Sequence, residues 1–105
     1  MSKSNSELTD YAPPAPPLYL ATATPANELS FMKAPAGWSS DWHPSSGRNL
    51  FFVISGEWEV TAGNGEARRF GVGGVLLVED TEGKGHSSRV TSETDSLAAM
   101  VRLAN

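Results

Sequence analysis

The stretch G-W-S-S-D-W-H-P-S-S-G-R-N-L-F-F-V-I-S-G-E-W-E-V, Gly37 to Val60, decides the fold together with F-G-V-G-G-V-L-L-V-E-D-T-E-G-K-G-H, Phe70 to His86. Leu50 to Ile54 is an unbroken apolar run of β-formers, the pattern of a strand buried on both faces. Glu57 to Thr61 alternates strictly, which turns Trp58 and Val60 inward. Asn64-Gly65 offers the positive φ values of a tight hairpin turn, Glu66 to Phe70 returns, and Val75 to Val78 forms another buried strand. His43 and His86, the two histidines of the chain, close this block at either end.

Working outward, Gly37 to His43 is a further candidate strand carrying Trp38 and Trp42, and Asp80 to Gly85 is a glycine-containing loop. Glu28 to Lys33 is another strand, with Leu29 and Phe31 on one face and Met32 on the other; Leu18 to Thr24 is a shorter one. His86 to Thr91 and Leu97 to Leu103 complete about eight or nine strands by this alternation. The last also has helical propensity, but a chain this small needs a strand there to cover a sheet edge. Polar Met1 to Asp10 reads as a disordered tail, and Tyr11 to Pro17 (Y-A-P-P-A-P-P) as extended polyproline. The expected organisation is a flexible leader over residues 1–17 and one barrel domain over residues 18–105. Short strands at this density predict an all-β sandwich or closed barrel.

Composition narrows the function. The 105 residues carry a net charge of −4, which disfavours nucleic acid and anionic membranes as partners. There is no cysteine, so a metal would need nitrogen or oxygen ligands. No apolar run reaches the roughly 20 residues of a membrane span, and the polar start is no signal peptide, which leaves the cytoplasm as the expected location.

Gly37, His43, Ser45, Asn49 and Gly56 fall without a gap on the spacing G-x5-H-x-H-x3-E-x6-G, the first motif of the cupin superfamily. Gly83-Lys84-Gly85-His86 matches the end of the second motif, G-x5-P-x-G-x2-H; Gly74 supplies its first glycine if the turn holds one extra residue. The chain thus resembles a small single-domain bacterial cupin over roughly Leu29 to Leu103. The resemblance implies a double-stranded β-helix, or jelly-roll barrel. In metal-binding relatives three imidazoles and one carboxylate would point into it. Here Ser45 stands for the second histidine, Asn49 for the glutamate, and Asp80 or Thr81 for the proline.

Two imidazoles, an amide and a hydroxyl make a weak set for iron, manganese, zinc or nickel, which want at least three good donors. The metal ligands would be His43, His86 and Asn49, with Asp41 and Glu79 as carboxylates able to complete them. Without a metal, His43 and His86 are candidate acid and base, since imidazole titrates near neutrality. Asn49 and Ser45 would orient a ligand, and Trp38, Trp42 and Phe51 would wall the pocket. Trp38 and Trp42 share a parity opposite to that of His43, so all three face inward only across a bulge; otherwise one tryptophan lies at a subunit contact. The acidic loop Glu79 to Glu82 lies close to His86, while Arg48, Arg68, Arg69 and Arg89 are expected in solvent or in salt bridges.

Three functions are consistent with this pattern. The preferred one is a homodimeric barrel binding a small, partly apolar organic molecule. The second is a metal-dependent isomerase, lyase or dioxygenase, and the third a structural dimer with a vestigial pocket. A shared fold does not choose among them.

Overall fold

The computed structural model describes residues 9–10 and 19–104. It contains nine strands and, among the described residues, no helix: β1 (Thr9–Asp10), β2 (Tyr19–Leu20), β3 (Ala26–Ala34), β4 (Asn49–Ser55), β5 (Trp58–Thr61), β6 (Ala67–Phe70), β7 (Val75–Val78), β8 (Ser87–Val90) and β9 (Ser96–Leu103). Among the described residues no helix is therefore long and apolar enough to cross a membrane. The strand expected over Leu18 to Thr24 is confined to β2, which pairs with β1. The polyproline segment Tyr11 to Pro17 lies outside the described residues.

One antiparallel sheet has the order β3-β9-β4-β7 and the other β6-β5-β8. Their inner faces share one core of Ala34, Phe51, Val53, Trp58, Val90 and Ala98. Phe51 from the first sheet meets Trp58 from the second edge to face, with ring centroids 5.2 Å apart. Leu97 to Leu103 is a strand, as alternation requires, yet it covers no edge. It lies between β3 and β4, with Ala98 and Met100 inward.

The apolar strands are not buried on both faces. Phe51 and Val53 fill the interior, whereas Ile54, Val75 and Leu77 are exposed. Register explains the pattern. Leu29, Val101, Leu50 and Leu77 form one cross-strand row on the outer face, and Phe31, Ala99, Phe52 and Val75 form the next. The continuous apolar sequence thus serves two surfaces of one sheet, one packed and one outward.

The hairpin between β5 and β6 also differs from the two-residue turn expected. Gly65 N–H donates to Ala62 O (2.9 Å) and Ala62 N–H to Glu66 O (2.8 Å), with Gly65 alone at positive φ (89°). Asn64 instead accepts Glu66 N–H through Oδ1. This is a longer turn closed by a left-handed glycine.

On the outer face of the second sheet Glu59 pairs with Arg89 and Arg69. The hydrogen bond from Arg89 is the main reason its carboxyl is held below the ordinary range. That contribution is present above the ordinary carboxylate pKa and fades as pH falls through the folded value; solvent keeps it small.

The closed end of the barrel is fixed by one buried polar contact. Trp58 Nε1–H donates to Ser96 Oγ (2.6 Å), and Ser96 Oγ–H donates to Ser55 O (2.6 Å). Gly56 permits this approach, because a Cβ there would lie 2.8 Å from Ser96 Cβ. Ser96→Ala should lower the unfolding free energy by about 1–3 kcal/mol, by stranding the buried indole N–H. Urea denaturation followed by tryptophan fluorescence measures this, and an unchanged midpoint would show that Trp58 finds another acceptor.

Candidate functional site

The segment before β4 is not the regular strand expected over Gly37 to His43. It meets β8 and the residue before it through isolated bridges, Ser39 to Arg89 and His43 to His86. Four steps of chain separate Ser39 from His43, but three separate Arg89 from His86. The surplus residue is a bulge. Its trace is at Ser40, whose N–H still donates to Ser88 O (2.8 Å), while Ser88 N–H is taken by the Ser40 hydroxyl (3.1 Å). The bulge reverses side-chain parity. Trp38 and His43 therefore both line the cavity, and Trp42 does not.

Beyond the bulge His43 and His86 form a closely hydrogen-bonded antiparallel pair, each N–H donating to the other's carbonyl at 3.0 Å. Side chains of such a pair stand on the same face. The rings accordingly sit with centroids 4.8 Å apart and planes inclined by 55°. Gly85 makes the pairing possible. It has a φ of 74°, and a Cβ there would collide with the His43 carbonyl and with Pro44.

Each ring is held through Nδ1. His43 Nδ1 lies 2.9 Å from the Asp41 carbonyl oxygen, and His86 Nδ1 lies 2.8 Å from Asp80 Oδ2. Of the carboxylates named from sequence, Asp41 contributes its backbone to this arrangement and Glu79 pairs with Arg48. Asp80, at a position matched to the motif proline, is the carboxylate that reaches a histidine.

The other two motif positions are turned to a different use. Asn49 is buried; its Nδ2 donates to Ser45 Oγ (3.0 Å) and Gly47 O (3.3 Å), and its Oδ1 accepts from Arg102 Nε (2.9 Å). Ser45 Oγ–H donates to Gly47 O, and Arg102 Nη2 donates to Ser46 Oγ. Ser45 N–H is tied to Asp80 O (2.9 Å). Both residues line the cavity, but their polar atoms build the loop instead of facing a ligand. Sequence reasoning missed Arg102; its signal is a lone cation in the apolar strand L-A-A-M-V-R-L.

The cavity holds about 360 Å³ and is lined by the apolar side chains of Met32, Trp38, Phe51, Trp58, Val60, Leu76, Val78 and Met100 together with His43, Pro44, Ser45, Ser46, Asn49, His86 and Ser88. Trp38 reaches it by packing edge-on against Trp58, ring centroids 5.6 Å apart. Trp42, expected in the pocket, is 41% exposed, with Lys84 Nζ 4.3 Å from its ring centroid.

No family model and no curated protein matches the chain. Solved structures do. The cupin domain of Schizosaccharomyces pombe Cnp3 aligns over 82% of this chain and 58% of its own, with a TM-score of 0.63 and 20% identity. A Cupin 2 conserved barrel domain protein from Salinispora arenicola aligns over 72% and 62%, with a TM-score of 0.57 and 21% identity. The chain folds as a small cupin domain. A predicted oxalate decarboxylase from Thermotoga maritima is 28% identical over 74% of this chain and 67% of its own, with a TM-score of 0.58. The cupin domain thus spans 58% to 67% of the length of the first and last of these proteins.

The motif resemblance would imply a divalent metal in this cavity, and the donors here do not fit one. Two imidazoles remain, the serine and asparagine are engaged in the loop, and among the described residues no three His, Cys, Asp or Glu side chains converge. The Asn49 needed for the expected set of His43, His86 and Asn49 faces Arg102 instead.

Gly85→Ala should separate the two histidines and destabilise the domain by about 3 kcal/mol or more, because backbone, not a movable side chain, meets the new methyl. Amide hydrogen exchange at His43 and His86 reports the lost bridge; retained protection would show that the loop relaxes around the methyl.

Proposed function

We propose that this cupin domain binds a small, partly apolar organic molecule in the barrel mouth, with His43 and His86 as its polar contacts and as candidate acid and base. The observation that carries this reading is the pair of adjacent imidazoles lining a cavity whose other side chains are mostly apolar and aromatic. Ligand sites commonly combine such walls with a few placed polar groups. An imidazole with Nδ1 already hydrogen-bonded keeps Nε2 for the ligand and can exchange a proton there. Trp38 and Phe51 supply apolar contact, while Ser45 and Asn49 support the reading indirectly by holding the rim in shape.

A screen of ring-containing fragments by saturation-transfer NMR tests this. Binding is expected in the wild-type protein and should weaken at least tenfold in His43→Ala and His86→Ala, with Tm little changed. Equal binding by all three proteins would remove the histidines from the ligand contact, and binding by none would favour the structural barrel over a ligand-binding one. The metal-dependent alternative predicts one iron, manganese, zinc or nickel per chain after loading, lost in both variants. The donor set instead predicts well under one.

We further propose a homodimer formed through the outer face of β3, β9, β4 and β7. Phe31, Leu29, Val75, Ile54 and Leu77 are all exposed there, with Phe31 at 65%. Lys33, near the end of β3, pairs with Asp95 at 3.8 Å. An apolar patch of this continuity is unusual on a monomer, and an outward row of side chains can meet its own copy across a two-fold axis. Sedimentation velocity should show a wild-type dimer and a Phe31→Glu monomer; a monomeric wild type would exclude this interface.

A further inference from the structure

The hydrogen-bond geometry of the two histidines fixes what their ligand offers. A carbonyl oxygen only accepts, so the Asp41 carbonyl 2.9 Å from His43 Nδ1 places the proton of that ring on Nδ1. The Asp80 carboxylate 2.8 Å from His86 Nδ1 does the same for the second ring. A neutral imidazole carries one N–H. With both rings neutral, each Nε2 is a bare lone pair, on rings whose centroids are 4.8 Å apart in the lining of one cavity.

Nearby polar side chains do little to offset this. Ser45 and Asn49 are engaged with the loop. Ser46 takes Arg102, and Ser88 faces the Ser40 hydroxyl. Arg102 is turned to Asn49 and Lys84 to the Trp42 ring. Two acceptors side by side repel an anion and give a carbonyl or ether oxygen no donor. They suit a group that donates.

We propose that the pocket selects an uncharged hydroxylated ring compound, a phenol or an alicyclic alcohol, whose O–H donates to Nε2 of His43 or His86 while its ring lies against Trp38 and Phe51. This rests on the ligand-binding reading above and adds the chemical class. A hydroxyl is also a group from which Nε2 can accept a proton, so the same contact positions the ligand for base chemistry. Asp80 acts through His86 as a positioning residue, holding the tautomer.

The test compares three probes of similar shape at neutral pH: 2-naphthol, 2-methoxynaphthalene and 2-naphthoate, titrated against the full chain with tryptophan fluorescence as readout. 2-Naphthol is expected to bind at least tenfold more tightly than either of the others. The His43→Phe, His86→Phe double variant should retain ring binding and lose the preference. Equal affinity of the methyl ether, or tightest binding of the carboxylate, would overturn the donor rule and leave the ligand-binding reading standing. Failure of all three to bind would remove both. Long-range proton–nitrogen NMR of the histidine rings supplies a readout independent of any ligand: both should show the Nδ1–H form, with His86 losing that uniformity in Asp80→Ala. An Nε2–H form in either ring of the wild-type protein would overturn the proposal.

Discussion

One surplus residue between Ser39 and His43 governs the mouth of this barrel. Without it the segment would continue in register along β8, and Trp38 would face away from the side of the sheet that His43 occupies. The bulge turns both inward and leaves Trp42 outside. It also brings His43 opposite His86, where two backbone hydrogen bonds lock the rings together. Gly85 is the local condition for that lock, since only a residue without Cβ lets the two chains approach so closely. The site is consequently a property of backbone geometry first and of side-chain chemistry second.

The two ends of the barrel solve different problems. At the closed end Trp58 fills the space between sheets, and its indole N–H is answered by Ser96, which is itself tied to Ser55. A buried donor without an acceptor would weaken that end, so one serine keeps the largest core ring compatible with the interior. At the other end space is left unfilled, and the cavity there is lined by mostly apolar walls together with the two histidines. The domain thus concentrates packing where the strands are fully paired and keeps its chemistry where pairing is broken.

Much of this was legible in the residues. Alternation gave Trp58 and Val60 their inward direction, the spacing of Gly37, His43 and Gly56 pointed to the barrel, and the two histidines met as expected. Other features depend on contacts that sequence does not display. A continuous apolar run cannot say whether both of its faces are covered, so Leu50 to Ile54 read as fully buried although one side is open. A bulge leaves no mark in composition, which is why Trp42 read as a pocket residue. Asn49 looked like a ligand contact because its partner, Arg102, lies 53 positions away in the chain. Asp80 was visible as part of an acidic loop, but its distance from His86 was not.

The Asn49–Arg102 contact has a consequence for anyone who would rebuild this barrel as a metalloprotein. Restoring histidine at position 45 and glutamate at position 49 would recreate the ligand spelling of the motif. The new carboxylate, however, would stand where the Arg102 guanidinium already lies, 2.9 Å from the present amide oxygen. It would be captured as an ion pair, and the fixed positive charge beside it would oppose a dication. The chemistry at position 49 is therefore set from a strand far from the motif, and a metal site there takes a third change, at Arg102.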